Sequence, residues 1–327
     1  MKVIAITAGD PCGIGPEVLV KTLSTIPRAR SARLVVIGTL AVFEQTAKRL
    51  RMRLPPWQVI DAGAGRLVLD HPLTLLDCRL AGPFRPGRPS RAAGEAALAY
   101  LDRSLTLWRE HPLHALVTAP VTKWAIGLIR RGFHGQTEYL AEAMGARDVV
   151  MMFISDTLRV ALLTRHIPLA QVARTLSPRQ LRMTLRLTAG ALRRWFGRPS
   201  PRLALCGLNP HAGEDGQCGR EEQTLMRPVL RAARRAGLRC DGPFAADGFF
   251  AEAAARYDAV VCPYHDQGLI PFKLLARDRG CQLSVGLPIV RTSPDHGSAL
   301  DIAGRGIAHP GSMRYALELA IRLARFP

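Results

Sequence analysis

Three apolar runs in this chain each end in a histidine. RVALLTRH delivers His166, RLALCGLNPH delivers His211 and AVVCPYH delivers His265. Short β-branched runs of this kind predict strands. In open α/β sheets, ligands bind beyond the carboxyl ends of the parallel strands. Three imidazoles sent to such an edge suit a catalytic divalent metal with an open position, such as Zn²⁺, acting as a Lewis acid on a substrate oxygen. One strand-end histidine is more often a loop residue satisfied by hydrogen bonds, and the spacings match no known metal motif. The threefold repetition is what favours the metal. Asp266 beside His265 reads as a ligand, as a carboxylate orienting the imidazole, or as a turn residue.

The elements that must position these residues follow from the same patterning. KVIAITA, ARLVVIG, ALVTAP, VVMMFIS, RVALLT, RLALCGLNP and AVVCPYH predict strands, and helices are expected near 16–26, 93–110, 137–145, 178–196, 221–236 and 312–325. Strands alternating with helices indicate an α/β protein with a largely parallel sheet. Ser177 suits an N-cap with Pro178 in the first helical position, and Pro16 plays a similar part after the first strand. The glycine-rich loop 9–15 reads as a strand-to-helix turn whose backbone N–H groups could face an anion. The Pro/Gly-rich stretch 81–95 reads equally as a linker or a long surface loop, and there is no internal repeat.

Composition narrows the classes. The 327 residues are 48% hydrophobic and carry a formal net charge of +19. Only five of the 45 basic residues are lysine, and the arginines are spread along expected helices, as in RQLRMTLRLTAGALRRWFGR. With 6% aromatics and no recognition motif, this argues for solvated basic faces and against specific nucleic-acid binding. A basic field also attracts anionic substrates. The seven cysteines form no C-x-x-C pair and read as reduced core thiols. The N-terminus lacks signal-peptide character and no apolar run approaches the ~20 residues of a membrane span. A cytoplasmic enzyme is the expectation.

The stretch PDHGSALDIAGRGIAHPGSM, residues 294–313, lacks the G-x-G-x-x-G of a Rossmann fingerprint. It resembles the cofactor loop of isopropylmalate and isocitrate dehydrogenases, and GDPCGIGPE resembles their N-terminal GDGIGPE. A tighter resemblance spans nearly the whole chain. TAGDPCGIGPE, VTAPVTK, GQTEYLAE, LRVALLTRHIPL, GLNPHAGEDG, GPFAAD, YHDQGLIPFK and GLPIVRTSPDHGSALDIAGRG are similar, in order, to the 4-hydroxythreonine-4-phosphate dehydrogenase family of pyridoxine biosynthesis.

The resemblance implies two α/β/α domains with a cleft between them, isopropylmalate-dehydrogenase-like rather than classical Rossmann. The first would span 1–110 plus 285–327 and carry the cofactor loop, and the second 111–284 with metal and substrate residues. It implies a homodimer with its active site at the interface, NAD or NADP, and one divalent metal (Zn, Mg or Co) held by His166, His211 and His265. Substrate contacts fall on Gln136, Thr137, Lys273, Gln282 and Arg291. Cofactor contacts fall on His296, Gly297, Ser298, Ala299 and Asp301, the last helping to fix the loop. Lys273, Asp247 and a metal-bound water are candidates for the base. Two positions depart: the family's usual GHTE is GQTE here, making Gln136 uncharged, and Gln282 replaces a common asparagine. The implied reaction oxidises 4-phosphooxy-L-threonine to a β-keto acid that decarboxylates to 3-amino-2-oxopropyl phosphate. A paralogue oxidising a phosphorylated four-carbon sugar acid or a cyclic cis-dihydrodiol dicarboxylate is the alternative. A three-histidine metal hydrolase fits the histidines but has no use for a dinucleotide loop.

Overall fold

The computed structural model describes residues 1–25, 32–64, 67–80 and 82–325. In chain order its strands are β1 (Lys2–Thr7), β2 (Ala32–Gly38), β3 (Gln58–Asp61), β4 (Leu73–Asp77), β5 (Leu113–Thr118), β6 (Val150–Ser155), β7 (Arg159–Leu162), β8 (Arg202–Cys206), β9 (Arg239–Phe244), β10 (Ala259–Cys262), β11 (Gly280–Val285) and β12 (Val290–Pro294). The α-helices are α1 (Gly15–Thr25), α2 (Leu40–Leu50), α3 (Arg91–Glu110), α4 (Lys123–Gly127), α5 (Gln136–Ala143), α6 (Leu169–Thr175), α7 (Pro178–Phe196), α8 (Arg227–Arg235), α9 (Ala246–Glu252), α10 (His265–Ala276) and α11 (Gly311–Leu323). The protein is α/β. No described helix is long and apolar enough to cross a membrane.

The chain divides into two compact units, 1–147 with 287–325, and 148–286. The boundary expected at 110/111 therefore moves to 147/148. The reason is β5, which pairs in parallel with β1 on one side and β12 on the other, so it belongs to the first sheet. In the first unit the order is β3-β4-β2-β1-β5-β12, and every pair is parallel. The central strands are buried on both faces, β1 from Val3 to Thr7, as a covered parallel sheet requires. The direction of winding reverses beside β1, so the loop 9–15 lies at a topological switch point.

In the second unit the order is β11-β6-β7-β10-β8-β9. Strand β6 runs antiparallel to both neighbours, while β7, β10, β8 and β9 are mutually parallel. Their core holds Phe153, Val160, Leu162, Cys206, Val260 and Phe272.

Helix caps match the expectation. Ser177 Oγ accepts from the Gln180 amide at 3.2 Å, Pro178 opens α7, and Gly197 closes it with φ 62°. The stretch 81–95 is not a linker. Its described part folds into a loop of the first unit, bridged between Arg85 and Arg88, and Ser90 caps α3 by accepting from the Ala93 amide. Ala81 lies outside the described residues.

The histidine of AVVCPYH is not at a strand end proper. Strand β10 stops at Cys262 and His265 opens helix α10. Gly268 and Pro271 hide this helix from sequence patterning. Gly268 is there for close packing: a Cβ would stand 2.5 Å from Val160 Cγ1. Five of the seven cysteines are buried, Cys78 and Cys218 are partly so, and none is bridged. Burial pushes the Cys12 thiol to about 11.

Candidate active site

Strands β7, β10 and β8 lie side by side and parallel, so their ends reach one edge of the second unit. The loop after β7 is stitched to the one after β10. Leu163 N donates to Cys262 O at 2.9 Å, and Thr164 donates to Pro263 O through its amide (3.1 Å) and hydroxyl (2.6 Å). This brings the His166 and His265 rings to 5.6 Å between centroids, inclined at 43°. Both line a cavity of about 300 Å³, with Arg165, Ile167, Tyr264 and Asp266.

Asp266 Oδ1 sits 2.6 Å from His265 Nδ1, and Glu214 Oε1 is 2.6 Å from His211 Nδ1. An ionised carboxylate only accepts, so in each pair Nδ1 is the donor and Nε2 is the ring nitrogen left to act as a metal ligand. That is the donor chemistry of a metal-ligating imidazole, and it fits a borderline divalent cation. The structure gathers His166 and His265. His211 lies in a separate turn, and among the described residues no three His, Cys, Asp or Glu side chains converge as a metal centre.

The remaining second-unit candidates do not line that cavity. Lys273 is exposed on α10, eight residues after His265, about 12 Å along the axis at 1.5 Å per residue. Asp247 is exposed in the first turn of α9. Gln282 is buried in β11 and donates from Nε2 to Ser284 Oγ at 3.0 Å.

The first unit holds the substrate candidates of β12 and α5. Arg291 of β12 is only 3% exposed. It donates to Thr137 Oγ1 at 3.2 Å and to Thr118 Oγ1 at 2.5 Å. Burial pulls the guanidinium down to about 10 while the Glu138 charge opposes the shift, so it stays cationic at neutral pH. Gln136 and Thr137 open helix α5. Gln136 Nε2 donates to Ala119 O at 3.1 Å, and its Oε1 is buried without a hydrogen-bond partner among the described residues. Thr118 was not singled out by sequence reasoning; its place at the carboxyl end of β5, within VTAP, was the available signal.

The 294–309 loop packs on the loop after β1. Ile14 N donates to Ser298 O at 2.9 Å, the Ser298 and Thr122 hydroxyls are 2.9 Å apart, and a Cβ on Gly13 would stand 2.8 Å from Ser298 Cβ. Ala299 takes a left-handed φ of 41°. Asp301 is exposed, and a different carboxylate holds the loop. Glu17, 3% exposed, accepts from Ala308 N at 2.8 Å and Gly306 N at 3.3 Å. Lys21, paired with Glu17 at 2.8 Å, donates to Gly306 O and Ala308 O. The i, i+4 pairing of Glu17 and Lys21 was legible, but not its partner loop.

The residues present fit a dinucleotide. Among the described residues His296 Nε2 is buried without a hydrogen-bond partner, and a Cβ on Gly297 would meet nothing within 4 Å. Gly297→Val is therefore expected to fold normally while its isopropyl group occupies the space the cofactor needs. Overpacking of that kind costs about 1–3 kcal/mol, so the cofactor KM should rise about tenfold or more with substrate KM nearly unchanged. Steady-state kinetics with a thermal melt checks this, and an unchanged cofactor KM in the folded variant removes the loop from the cofactor site.

Residues 30–320 match the pyridoxal phosphate biosynthetic protein PdxA family. A 4-hydroxythreonine-4-phosphate dehydrogenase of Acidithiobacillus ferrooxidans is 43% identical over 325 residues, 98% of this chain and 96% of that protein. The crystal structure of a 4-hydroxythreonine-4-phosphate dehydrogenase from Klebsiella pneumoniae aligns with a TM-score of 0.84 at 36% identity, covering 99% of this chain and 98% of that one. A terephthalate 1,2-cis-dihydrodiol dehydrogenase from Burkholderia xenovorans aligns at a TM-score of 0.64 and 30% identity, covering 98% of each chain. The chain belongs to the pyridoxal phosphate biosynthetic protein PdxA family.

Proposed function

We propose that this chain is a metal-dependent NAD(P)-linked dehydrogenase that oxidises the 3-hydroxyl of 4-phosphooxy-L-threonine. The β-keto acid formed loses CO₂ to give 3-amino-2-oxopropyl phosphate, a step of pyridoxal 5'-phosphate biosynthesis. The single observation that carries the reading is the buried cation of Arg291 bonded to Thr137, a built receptor for an anionic substrate. A phosphate carries a charge of about −1.5 to −2 at neutral pH, and a guanidinium offers the matching fork of donors.

His166, His211 and His265 would hold the divalent metal, which supplies Lewis acidity toward the substrate hydroxyl. His296, Gly297, Ser298 and Ala299 would seat NAD(P)⁺, the hydride acceptor. Asp266 and Glu214 engage Nδ1 of His265 and His211, leaving Nε2 of each for the metal. Thr137 and Arg291 bind an anionic end of the substrate, and Gln136 assists without charge. Asp247 and Lys273 are both side-chain candidates for the base, Lys273 lying two helical turns from His265. Seven free thiols suit a reducing, cytoplasmic setting.

The test is absorbance at 340 nm with 4-phosphooxy-L-threonine and either NAD⁺ or NADP⁺, with and without chelator. The reading expects a rise that chelation abolishes. Hydrolysis of an ester or amide without a 340 nm change would point to the metal hydrolase. The 30%-identical dihydrodiol dehydrogenase supports a second reading, in which Gln136 marks a different hydroxy acid. A substrate panel with both cofactors separates the two.

The homodimer has support in α10. Ile270, Leu274 and Leu275 are 61%, 73% and 54% exposed on the helix that carries Lys273. A cluster of that kind marks an interaction surface. Burying one such side chain is worth about 1.5–3 kcal/mol, so Leu274→Glu should weaken self-association by at least about tenfold. Sedimentation velocity should show the shift to monomer. An unchanged dimer places the interface elsewhere.

A further inference from the structure

The loop that carries His296 to Ala299 is gripped by one side of α1. Ile14 immediately precedes this helix, and Glu17 and Lys21 follow it at helical spacing. Ile14 N donates to Ser298 O at 2.9 Å. One turn on, Glu17 accepts from Gly306 N at 3.3 Å and Ala308 N at 2.8 Å. A further turn on, Lys21 Nζ donates to Gly306 O at 2.8 Å and to Ala308 O at 2.7 Å. Two side chains thus take both the N–H and the C=O of Gly306 and of Ala308. All of these residues belong to the first unit. The base of the loop is closed separately: Asp295 N donates to Ser312 Oγ at 3.0 Å, and that hydroxyl donates to Asp295 Oδ1 at 2.7 Å.

The pair is complete in itself. The Lys21 ammonium has three donors, and the third goes to Glu17 Oε1 at 2.8 Å. Both side chains are largely buried. Removing charge from water is costly, so a buried ion pair adds little net stability over an apolar pair of the same size. Its effect here is to specify the course of the loop, because four backbone groups find their partners together in this arrangement. The loop is therefore fixed beside α1 at Ser298, among the cofactor candidates, and again at 306–308.

We propose that Glu17 and Lys21 are positioning residues for the dinucleotide, which keep the 294–309 loop in the arrangement that His296, Gly297, Ser298 and Ala299 need to receive it. The proposal rests on the cofactor reading above. When the binding-competent arrangement of a protein is only partly populated, the apparent affinity falls by that fraction. Loosening the clasp therefore weakens NAD(P) binding without altering any of the four cofactor residues.

The experiment is fluorescence titration of the full chain with NADH and with NADPH, for wild type, Lys21→Met, Glu17→Gln and Gly297→Val, together with KM values for cofactor and substrate. Lys21→Met keeps the aliphatic stem and removes both bonds to the loop carbonyls. In Glu17→Gln either amide orientation sets an NH₂ group against a donor, Gly306 N in one and Ala308 N with Lys21 Nζ in the other. With charge-assisted hydrogen bonds lost, both variants are expected to bind the reduced cofactor about tenfold or more weakly and to show a matching rise in cofactor KM, with substrate KM nearly unchanged. Hydrogen exchange at the Gly306 and Ala308 amides should quicken in Glu17→Gln. A pair that merely stabilises the unit would lower the melting temperature and leave cofactor affinity alone. Wild-type cofactor affinity in folded Lys21→Met, alongside weakened binding by Gly297→Val, would overturn the proposal. If Glu17→Gln does not fold, Lys21→Met decides alone. Normal binding by Gly297→Val, or no binding by wild type, overturns the cofactor reading and this proposal with it.

Discussion

Replacing His265 by alanine is expected to lower turnover about a thousandfold or more while leaving the fold intact. Lewis-acid stabilisation is worth several kcal/mol, and each ~1.4 kcal/mol is a factor of ten in rate. The fold should survive because the His265 side chain is 38% exposed, and substitutions at such positions usually move stability by less than about 0.5 kcal/mol. The loss should track bound metal: the purified variant should hold substoichiometric Zn²⁺ or Co²⁺, with excess metal restoring part of the rate. Asp266→Asn should act in the same direction but more weakly, about 10–100-fold in metal affinity, because it replaces the charged acceptor on Nδ1 with a neutral amide and leaves the ligand itself. Full activity of His265→Ala, with metal content unchanged, would remove the histidine edge from catalysis.

Arg291→Ala is the second large effect, and its size depends on what Arg291 does. If the guanidinium only supports the first unit, removing it strands the Thr137 and Thr118 hydroxyls and the Glu138 charge, and the signature is a lowered melting temperature with an unchanged KM. If it also grips the phosphate, losing a charge-assisted hydrogen bond adds about 1.5–3 kcal/mol, and KM for 4-phosphooxy-L-threonine rises about ten- to a hundredfold. The unphosphorylated analogue separates phosphate from carboxylate. Phosphate binding penalises only the phosphorylated substrate, whereas carboxylate binding penalises both alike. Because the group stays cationic up to about 10 and the phosphate is fully ionised well above its second pKa of about 6, the KM effect should be flat between about pH 7.5 and 9. A steep dependence in that window would point to another group.

Much of this protein was legible in local patterning. Apolar β-branched runs form strands because a buried parallel strand must present apolar side chains on both faces, and β1 and β2 do so. Ser177, Pro178 and Gly197 bound α7 because capping depends on a few adjacent residues. The delivery of His166, His211 and His265 beyond three apolar runs is a property of chain order, and needed no knowledge of neighbours. Ordered motifs over nearly the whole chain likewise carried the family, since they record sequence alone.

Other features were decided only by the tertiary structure, because they depend on segments distant in sequence. Arg291 reads as an ordinary surface charge until β12 pairs with β5 and sets it against Thr118 and Thr137. Glu17 lies in the first turn of α1, and its partners, residues 306–308, fold back onto it from some 290 positions later. Asp301 reads as the loop's anchor and turns out exposed. The unit boundary moved because β5, a strand by its own pattern, chose its partners by pairing. Helix α10 was hidden because Gly268 and Pro271 disfavour a helix locally, and packing on Val160 and Cys262 overrides them. Local free energies select the type of element; which strands become neighbours, and which loops meet at their ends, is settled only by burial and hydrogen bonding between distant parts of the chain.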